Sequence, residues 1–451
     1  MQSMKRRLTA AVAAAAALAV LAGCSSSSGA SGSVSYWAAF SSTDTQKYFQ
    51  QNFVDSFNKE SKDAQVTMDV KQLQNLGSLT DTAVSAGRGA DVVYAAGPSS
   101  ALGFASAKRI DDLDSYAEKY DWKSKLQPWA YQASEVNGKL TSVPVGYGSV
   151  VMFYNPAVFK KHGWTVPTTA AEFDKVAKAA SDAGLIPVGA GNSGYKAQSE
   201  WYLTAVLNAA VGPKKLYDTL TGAAKFTDKA YVDAITTFKE QIDKGWWGGG
   251  KDRWFTNTDT DMFTGLADGK VAMYMTGTWS FGSASTFFGQ KAGNDADWDW
   301  APLPSLSDSV KPGVYPLAIG TSLSVNAASK NKDGSAAFID SLVNDPAKSY
   351  AYLAKTGENP PPLTDVSSIP SSVDKRVSRL YTDIPTSTNL GYASWTFFPA
   401  ATDSYLYTEF DKVITGSESP ADYLAGLQKT FDGEKAAGKV ITPFAPSGAQ
   451  K

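Results

Sequence analysis

Residues that could carry out nucleophilic or metal chemistry are scarce in this chain, which contains one histidine and one cysteine among 451 residues. A zinc site built from cysteine and histidine is therefore excluded, and no internal disulfide can form. A Ser-His-Asp triad would have to use His162, which follows two lysines and precedes Gly163. That pattern is typical of a helix end, where a cation favours the carbonyl dipole, so we interpret His162 as structural.

Aromatic side chains are plentiful, with 12 tryptophans and 21 tyrosines. This is more tryptophan than a core of this size needs, and it indicates stacking surfaces for a ligand. Hydrophobic residues at 43% and charged residues at 19% describe an ordinary globular protein, neither disordered nor membrane-embedded. The formal net charge of −2 argues against a nucleic-acid partner. We expect no nucleic acid, no metal and no cofactor.

One glycine motif has to be weighed against a nucleotide site. Residues 189–194 (GAGNSG) match the G-x-G-x-x-G fingerprint and lie between an apolar strand pattern and a predicted helix. The motif lies deep in the chain rather than in an opening βαβ unit. No strand ending in an acid follows about twenty residues on, because Val211-Gly212-Pro213 breaks the pattern. We interpret these glycines as a turn at a helix start.

The first thirty residues have the layout of an export signal. A short basic segment precedes an Ala-rich apolar run (8–21) that is too short and too weakly hydrophobic for a convincing membrane span. The run ends in Leu21-Ala22-Gly23-Cys24, which resembles the lipobox of bacterial lipoproteins. This resemblance implies that residues 1–23 are cleaved and that Cys24 is lipidated, which would anchor the chain at the outer face of the cytoplasmic membrane. Residues 24–33 read as a flexible Ser/Gly tether.

Strand and helix patterns alternate along the rest of the chain, which implies an α/β protein with a mostly parallel sheet. Ligands of such sheets usually bind beyond the carboxyl ends of the strands. Asn137-Gly138 predicts a hairpin, and Thr169 with Glu172 predicts a helix that begins with a capping box. The length suggests two domains. Since no long linker separates them, we expect the chain to cross between them more than once.

Several segments, in order, resemble the extracellular solute-binding proteins of ABC importers, in the sugar-binding group that includes maltose-binding protein. They are residues 138–145 (GKLTSVPV), 152–156 (MFYNP), 269–273 (GKVAM), 277–279 (GTW) and 321–329 (TSLSVNAAS). Each segment alone is a weak signal, and their order and spacing carry the resemblance, which covers nearly the whole mature chain.

The resemblance implies two α/β lobes, each a mostly parallel sheet flanked by helices. About three crossovers would join them, near 143–147, 316–322 and 360–363. The N-terminal lobe would comprise 33–145 and 319–360, and the C-terminal lobe 146–318 and 361–451. The protein would be a monomer and not an enzyme. It would close by a hinge on a mono- or oligosaccharide and deliver it to the permease subunits of an importer.

A pyranose presents an apolar face of C–H groups and a rim of hydroxyls, so its site needs aromatic planes together with fixed donors and acceptors. By the resemblance, Trp279 and Trp395 are the first candidates for stacking. Tyr147, after the first crossover, would turn its ring and hydroxyl to the cleft. Gln198, Glu200 and Trp201 fall in the segment that contributes contacts from the second lobe, although Trp201 also fits a core role.

The loop that contains Ser42, Thr43 and Asp44 aligns with a sugar-contacting loop of the family. Thr43 with Gln46 also has the pattern of a helix cap, and Asp44 in the first turn would favour the helix dipole without any ligand. As a ligand contact, Asp44 would accept charge-assisted hydrogen bonds from sugar hydroxyls. Gly97, at the end of a strand, would line the same cleft. Around it the family's maltose binder differs from this chain, so maltose itself is not implied.

Two other readings stay open. The same fold could bind a non-sugar solute such as a peptide or a polyamine. The protein could also be a secreted glycosidase, which would need two carboxylates roughly 5 to 10 Å apart. No nucleophile elbow, HExxH or Walker motif is present to support catalysis.

Overall fold

The structure, a computed structural model, describes residues 32–446, without the side chains of Leu73 and Gln74. The predicted signal (1–23), the lipidation at Cys24 and most of the tether (24–33) lie outside the described residues. In the part of the chain that the structure describes, no helix is long and apolar enough to cross a membrane.

The centre of the fold is one large sheet, in which most strands follow the order β2-β1-β3-β10-β6-β8-β7; β9 pairs with β6, and β11 pairs with β10. The strands are β1 (Ser33–Ala38), β2 (Gln65–Val70), β3 (Val92–Ala95), β4 (Glu135–Val136), β5 (Lys139–Leu140), β6 (Val143–Tyr154), β7 (Ile186–Gly189), β8 (Val271–Gly277), β9 (Asp299–Ala301), β10 (Tyr315–Val325) and β11 (Leu390–Tyr392).

Parallel pairs lie at both ends of this sheet. β1 pairs in parallel with β2 and β3, and β7 pairs in parallel with β8. Between them, the long strands β6 and β10 run antiparallel to each other and to their outer neighbours β8 and β3. The sheet therefore consists of two partly parallel halves joined by an antiparallel pair.

Strands β6 and β10 each contribute to both halves. β10 pairs with β3 through residues 322–325 and with β6 through residues 317–323, and β6 pairs with β8 through residues 150–154. The register between β6 and β10 shifts at Thr321, which marks an irregularity in the pair. Two of the expected crossovers fall in these strands. At the third expected crossover, the carbonyl of Pro360 accepts a hydrogen bond from the amide of Tyr147 on β6, at 3.0 Å. The lobe boundaries themselves stay a prediction.

Helices flank both halves of the sheet. Those before β6 are α1 (Thr43–Phe49), α2 (Ser56–Glu60), α3 (Leu73–Ser85), α4 (Pro98–Ser106), α5 (Asp114–Tyr120), α6 (Trp122–Lys125) and α7 (Pro128–Ala133), with a π-helical segment (Gln50–Asp55) between α1 and α2. Those between β6 and β10 are α8 (Pro156–His162), α9 (Ala170–Asp182), α10 (Gln198–Val206), α11 (Pro213–Thr221), α12 (Lys229–Asp243), α13 (Lys251–Trp254) and α14 (Asp259–Ala267). Those after β10 are α15 (Lys332–Ser341), α16 (Pro346–Thr356), α17 (Lys375–Asp383), α18 (Ser394–Phe397), α19 (Ala400–Thr408), α20 (Phe410–Thr415) and α21 (Pro420–Ala436).

Local sequence signals explain several of these boundaries. Asn137 and Gly138 both have positive φ, as a tight hairpin turn requires, and they connect β4 to β5 as predicted. Thr169 and Glu172 form the predicted capping box of α9. His162 is the last residue of α8, before Gly163 in the left-handed conformation, and its ring stacks on Trp164 at 4.4 Å. The predicted helix end at His162 is confirmed.

Candidate ligand-binding site

Three tryptophans from separate parts of the chain meet in one place, and we call them the tryptophan group (Trp201, Trp279 and Trp395). The ring centroids of Trp201 and Trp279 are 5.0 Å apart at an interplanar angle of 61°. Those of Trp279 and Trp395 are 5.6 Å apart at 72°. Edge-to-face contacts at these distances are favourable, and all three side chains are only partly buried. All three were candidates from the sequence, and the structure brings them together.

Trp279 is the central ring of the group, and its position depends on the end of β8. It belongs to a short 3₁₀ turn (Thr278–Phe281) that directly follows Gly277, the last residue of that strand. The indole lies over Gly277, because a β-carbon at that position would fall 2.0 Å from its Cη2 and Cζ3 atoms. The neighbouring Thr278 is buried and accepts a hydrogen bond from the amide of Ser149 on β6, at 3.1 Å. Strand β6 thereby fixes the turn that carries the ring.

Trp395 is positioned by contacts that its two neighbours in the chain make with strand β10 and helix α10. It lies on α18, where Thr396 accepts a hydrogen bond from the amide of Ile319 on β10, at 2.9 Å. Ser394, on the same helix, donates its amide to the hydroxyl of Thr204 on α10, at 3.2 Å. Helix α18 therefore connects the crossover strand β10 to the helix that carries Trp201.

Gly97, a predicted site residue, packs against this same region. Its φ of +97° and its position as the residue before α4 favour glycine. A β-carbon here would lie 2.7 Å from the carbonyl oxygen of Ile319 and 3.6 Å from that of Trp395. Close packing of the backbone thus explains this glycine without a ligand, and it places the end of β3 beside the tryptophan group.

Acidic and phenolic groups lie next to Trp201. Glu200 is 6% exposed, and Oδ1 of Asp403, on α19, is enclosed without a hydrogen-bond partner among the described residues. Burial raises the pKa of Glu200 well above its usual range and raises the pKa of Asp403 to about 6. Tyr195, whose ring centroid is 5.9 Å from that of Trp201, is 52% exposed. Sequence reasoning missed Asp403, since nothing local in its helix distinguishes it from other acids.

The loop before α1 differs from the expectation in one respect. Ser42, and not Thr43, is the N-cap of the helix, and its hydroxyl accepts from the amide of Thr45 at 3.1 Å. The predicted cap at Thr43 was wrong by one residue, because four adjacent residues can all cap a helix. Thr43 and Asp44 are exposed in the first turn. Ser41 donates a hydrogen bond to Glu358, whose pKa is raised by burial.

Two predicted contacts lie in the core. Tyr147 is fully buried; its hydroxyl accepts from the side chain of Gln127 at 3.1 Å, and its ring packs edge-on against Tyr381. The expected orientation of Tyr147 towards the cleft is therefore not what the structure shows. Gln198 is 1% exposed and donates to the hydroxyls of Tyr202 and Tyr274, both at 2.9 Å.

The aromatic, glycine-rich loop after α12 (residues 246–250) and the nearby Trp254 are also explained by packing. Trp247 and Trp254 are fully buried, and the indole N–H of Trp247 donates a hydrogen bond to Gln241 at 2.9 Å.

Two cavities lie away from the tryptophan group, one of about 260 Å³ between α12 and residues 306–309 and one of about 420 Å³ near α7. Within residues 32–446, no cluster of three or more acidic, histidine or cysteine side chains is placed to hold a metal ion.

Comparison with known proteins places this geometry in context. Residues 52–377 match a model of bacterial extracellular solute-binding proteins. A stretch of 188 residues is 26% identical to a probable sugar-binding periplasmic protein of Mesorhizobium japonicum; it covers 40% of this chain and less than half, 42%, of that relative.

Solved structures give the same picture for the fold. A chitin oligosaccharide binding protein matches with a TM-score of 0.75 and 16% identity, over 90% of this chain and 99% of that one. The sugar-binding protein MalE of Xanthomonas citri matches with a TM-score of 0.70 and 19% identity, over 90% and 98% of the two chains. At these identities the likeness shows the fold, which is the two-lobed α/β fold expected from the sequence.

Proposed function

Because this chain belongs to the bacterial extracellular solute-binding protein family, we propose that it captures a mono- or oligosaccharide and delivers it to the permease subunits of an ABC importer. The ligand would bind at the tryptophan group, in the cleft between the lobes. The proposal assigns binding and release, and it assigns no catalysis.

The tryptophan group is the observation that carries the proposal. Its three rings come from α10, from the turn after β8 and from α18, so three separate segments have to fold correctly to bring them together. Partly exposed aromatic planes suit the apolar face of a pyranose. Tyr195, a half-exposed residue whose ring centroid lies 5.9 Å from that of Trp201, would supply one of the polar groups that a rim of sugar hydroxyls needs. The sugar-binding relatives described above support the same substrate class.

The proposal includes closure of the lobes around the ligand. Strands β6 and β10 run through both halves of the sheet, and their register shifts at Thr321, close to Ile319, the contact of α18. A few residues at such a place can absorb the change in backbone angles that a hinge requires. Lipidation of Cys24 would keep the protein at the outer face of the membrane, close to the permease.

Thermal unfolding of the chain produced without residues 1–24 tests the proposal, against a panel of mono- and oligosaccharides. Peptides and polyamines belong in the panel, because they represent the alternative class of ligand for this fold. A ligand at a hundred times its dissociation constant adds about 2.7 kcal/mol to the free energy of unfolding, which gives a clear shift. Stabilisation by a polyamine or peptide alone would reject the carbohydrate. Cleavage of a sugar during the assay would reject a pure binding role.

A further inference from the structure

The chain after α21 forms a segment without regular secondary structure, which we call the strap (residues 439–446). Two of its apolar side chains, Ile441 and Phe444, are buried. A segment that has no helix or strand ladder of its own is held in place by its contacts with the rest of the protein. The contacts of Phe444 therefore show which elements the strap is attached to.

Phe444 packs against the strand and the helix that surround Trp395 in the chain. Its ring centroid is 4.7 Å from that of Tyr392 on β11 and 5.6 Å from that of Phe397 on α18. The rings of Tyr392 and Phe397 also pack edge-on against each other, with centroids 5.1 Å apart. The hydroxyl of Tyr392 donates a buried hydrogen bond to the carbonyl of Phe444 at 2.6 Å. The three rings form one buried cluster, and this hydrogen bond fixes the backbone of the strap to it.

The strap also reaches α7, in the first half of the chain. The ring centroid of Phe444 is 6.1 Å from that of Trp129, and the carbonyl of Pro443 accepts a hydrogen bond from the side chain of Gln132 at 3.4 Å. These contacts are longer than those with β11 and α18. The cavity of about 420 Å³ near α7 is lined in part by Gln132 and Thr442, so it opens beside them. The strap is thus held firmly by β11 and α18 and more loosely by α7.

Helix α18 needs support from its neighbours, because Ser394–Phe397 is only one turn long. Isolated helices shorter than about 12 residues are marginal in water. Residues two positions apart are separated by about 200° around a helix, so Trp395 and Phe397 lie on nearly opposite faces. Trp395 is partly exposed in the tryptophan group, and Phe397 is buried against the strap. Phe444 therefore supports the face of α18 that is opposite to the ring of the site.

We propose that Phe444 is a positioning residue for ligand binding, which fixes Trp395 in the tryptophan group by holding the buried face of α18. Phe444 acts through Trp395 and not by touching the ligand. The hydrogen bonds of α18 to Ile319 and Thr204 attach the helix at two points, and the packing of Phe397 on Phe444 prevents it from tilting about them. The proposal rests on the proposed function, because it concerns the same site.

The test begins with the dissociation constant of the panel sugar that binds best, measured by calorimetry for the wild type and for Phe444→Ala. We expect the affinity to fall about tenfold or more, because Trp395 loses its fixed position. Phe338→Ala is the matched control, since this phenylalanine is buried on α15 and packs against Tyr36 and Phe57. Its affinity should stay within about twofold of the wild type, and an equal affinity in Phe444→Ala would overturn the proposal.

A double-mutant cycle separates positioning from a general loss of packing. In a protein that already carries Trp395→Ala, Phe444→Ala should change the affinity by less than about twofold, because the ring on which Phe444 acts is gone. The same loss of affinity in both backgrounds would reject the proposal. Where Trp395→Ala alone removes all binding, the hydrogen-exchange experiment described below decides.

Tyr392→Phe tests the same support without making a cavity, in case Phe444→Ala does not fold. It keeps the ring and removes the hydroxyl that donates to the strap, so the affinity should fall about threefold or more. If Phe444→Ala does not fold, an unchanged affinity in Tyr392→Phe rejects the proposal.

Hydrogen exchange of the ligand-free protein separates this proposal from the proposed function. The amide of Phe398 donates to the carbonyl of Ser394 at 2.7 Å, so its exchange rate reports on α18. Phe444→Ala should raise this rate about tenfold or more, and Phe338→Ala should leave it unchanged. If no sugar binds to the wild type, the proposed function fails, and faster exchange in α18 still supports the positioning role. An unchanged rate in Phe444→Ala would reject the positioning role whichever ligand binds.

Discussion

Gly277 lies directly beneath the indole ring of Trp279, with no room for a side chain between them. A β-carbon at position 277 would come within 2.0 Å of the ring, far inside van der Waals contact. The backbone of Gly277, with φ −84° and ψ 157°, is one that any residue adopts. The requirement for glycine is therefore set by the ring above it and not by the chain.

Gly277→Ala should displace the Trp279 ring and weaken sugar binding by about tenfold or more, which corresponds to about 1.4 kcal/mol. Overpacking costs about 1–3 kcal/mol of stability, so affinity has to be measured by calorimetry well below the unfolding temperature. Gly433→Ala, on α21, is the matched control, because a β-carbon there meets nothing within 4 Å. Equal affinity in both variants would show that the position of the ring does not determine binding.

Trp279→Ala should abolish the stabilisation by sugar, because it removes the ring that contacts both other members of the tryptophan group. The measurement is the shift in unfolding temperature with and without the sugar. Trp164→Ala serves as the control, since that ring stacks on His162 at the end of α8 and should leave the ligand shift intact. Loss of the shift in both variants would point to a general loss of structure.

Cys24→Ser should release the protein from the membrane fraction, since it removes the residue that the lipobox resemblance implies is acylated. A single acyl chain binds a membrane only weakly, so stable anchoring needs the more extensive acylation found in lipoproteins. Detergent phase partitioning of the expressed protein measures the difference, with Ser25→Ala as the neighbouring control. Equal partitioning of the wild type and Cys24→Ser would contradict lipidation.

Local signals and ordered motifs in the sequence predicted several boundaries of the fold and two members of the candidate site. The turn at Asn137-Gly138 and the cap at Thr169 depend on residues within a few positions, and Trp279 and Trp395 were placed by a resemblance spread over the chain. Asp403 could not be found this way, because only packing of α19 against α10 brings its helix to the candidate site. A pairing between distant segments leaves no local pattern.

The position of Tyr147 shows the same limit within a strand. Residues 148–153 of β6 are all buried, so the strand lacks the alternation that would reveal which side chains face a cleft. The sequence indicated a crossover at this point, and a side chain beside a crossover can equally well point into the core. In the structure, contacts with Gln127 and Tyr381 hold it there.

Tyr147→Phe should therefore lower stability and leave sugar affinity nearly unchanged. It removes the acceptor of a buried hydrogen bond from Gln127, at a cost of about 0.5–1.5 kcal/mol, while the side-chain amide of Gln127 keeps its bond to the carbonyl of Leu363. Urea unfolding measures the stability, and calorimetry measures the affinity. Trp279→Phe provides the opposite comparison, because at a ligand contact the affinity should fall more than the stability. A large loss of affinity in Tyr147→Phe at unchanged stability would return Tyr147 to the binding site.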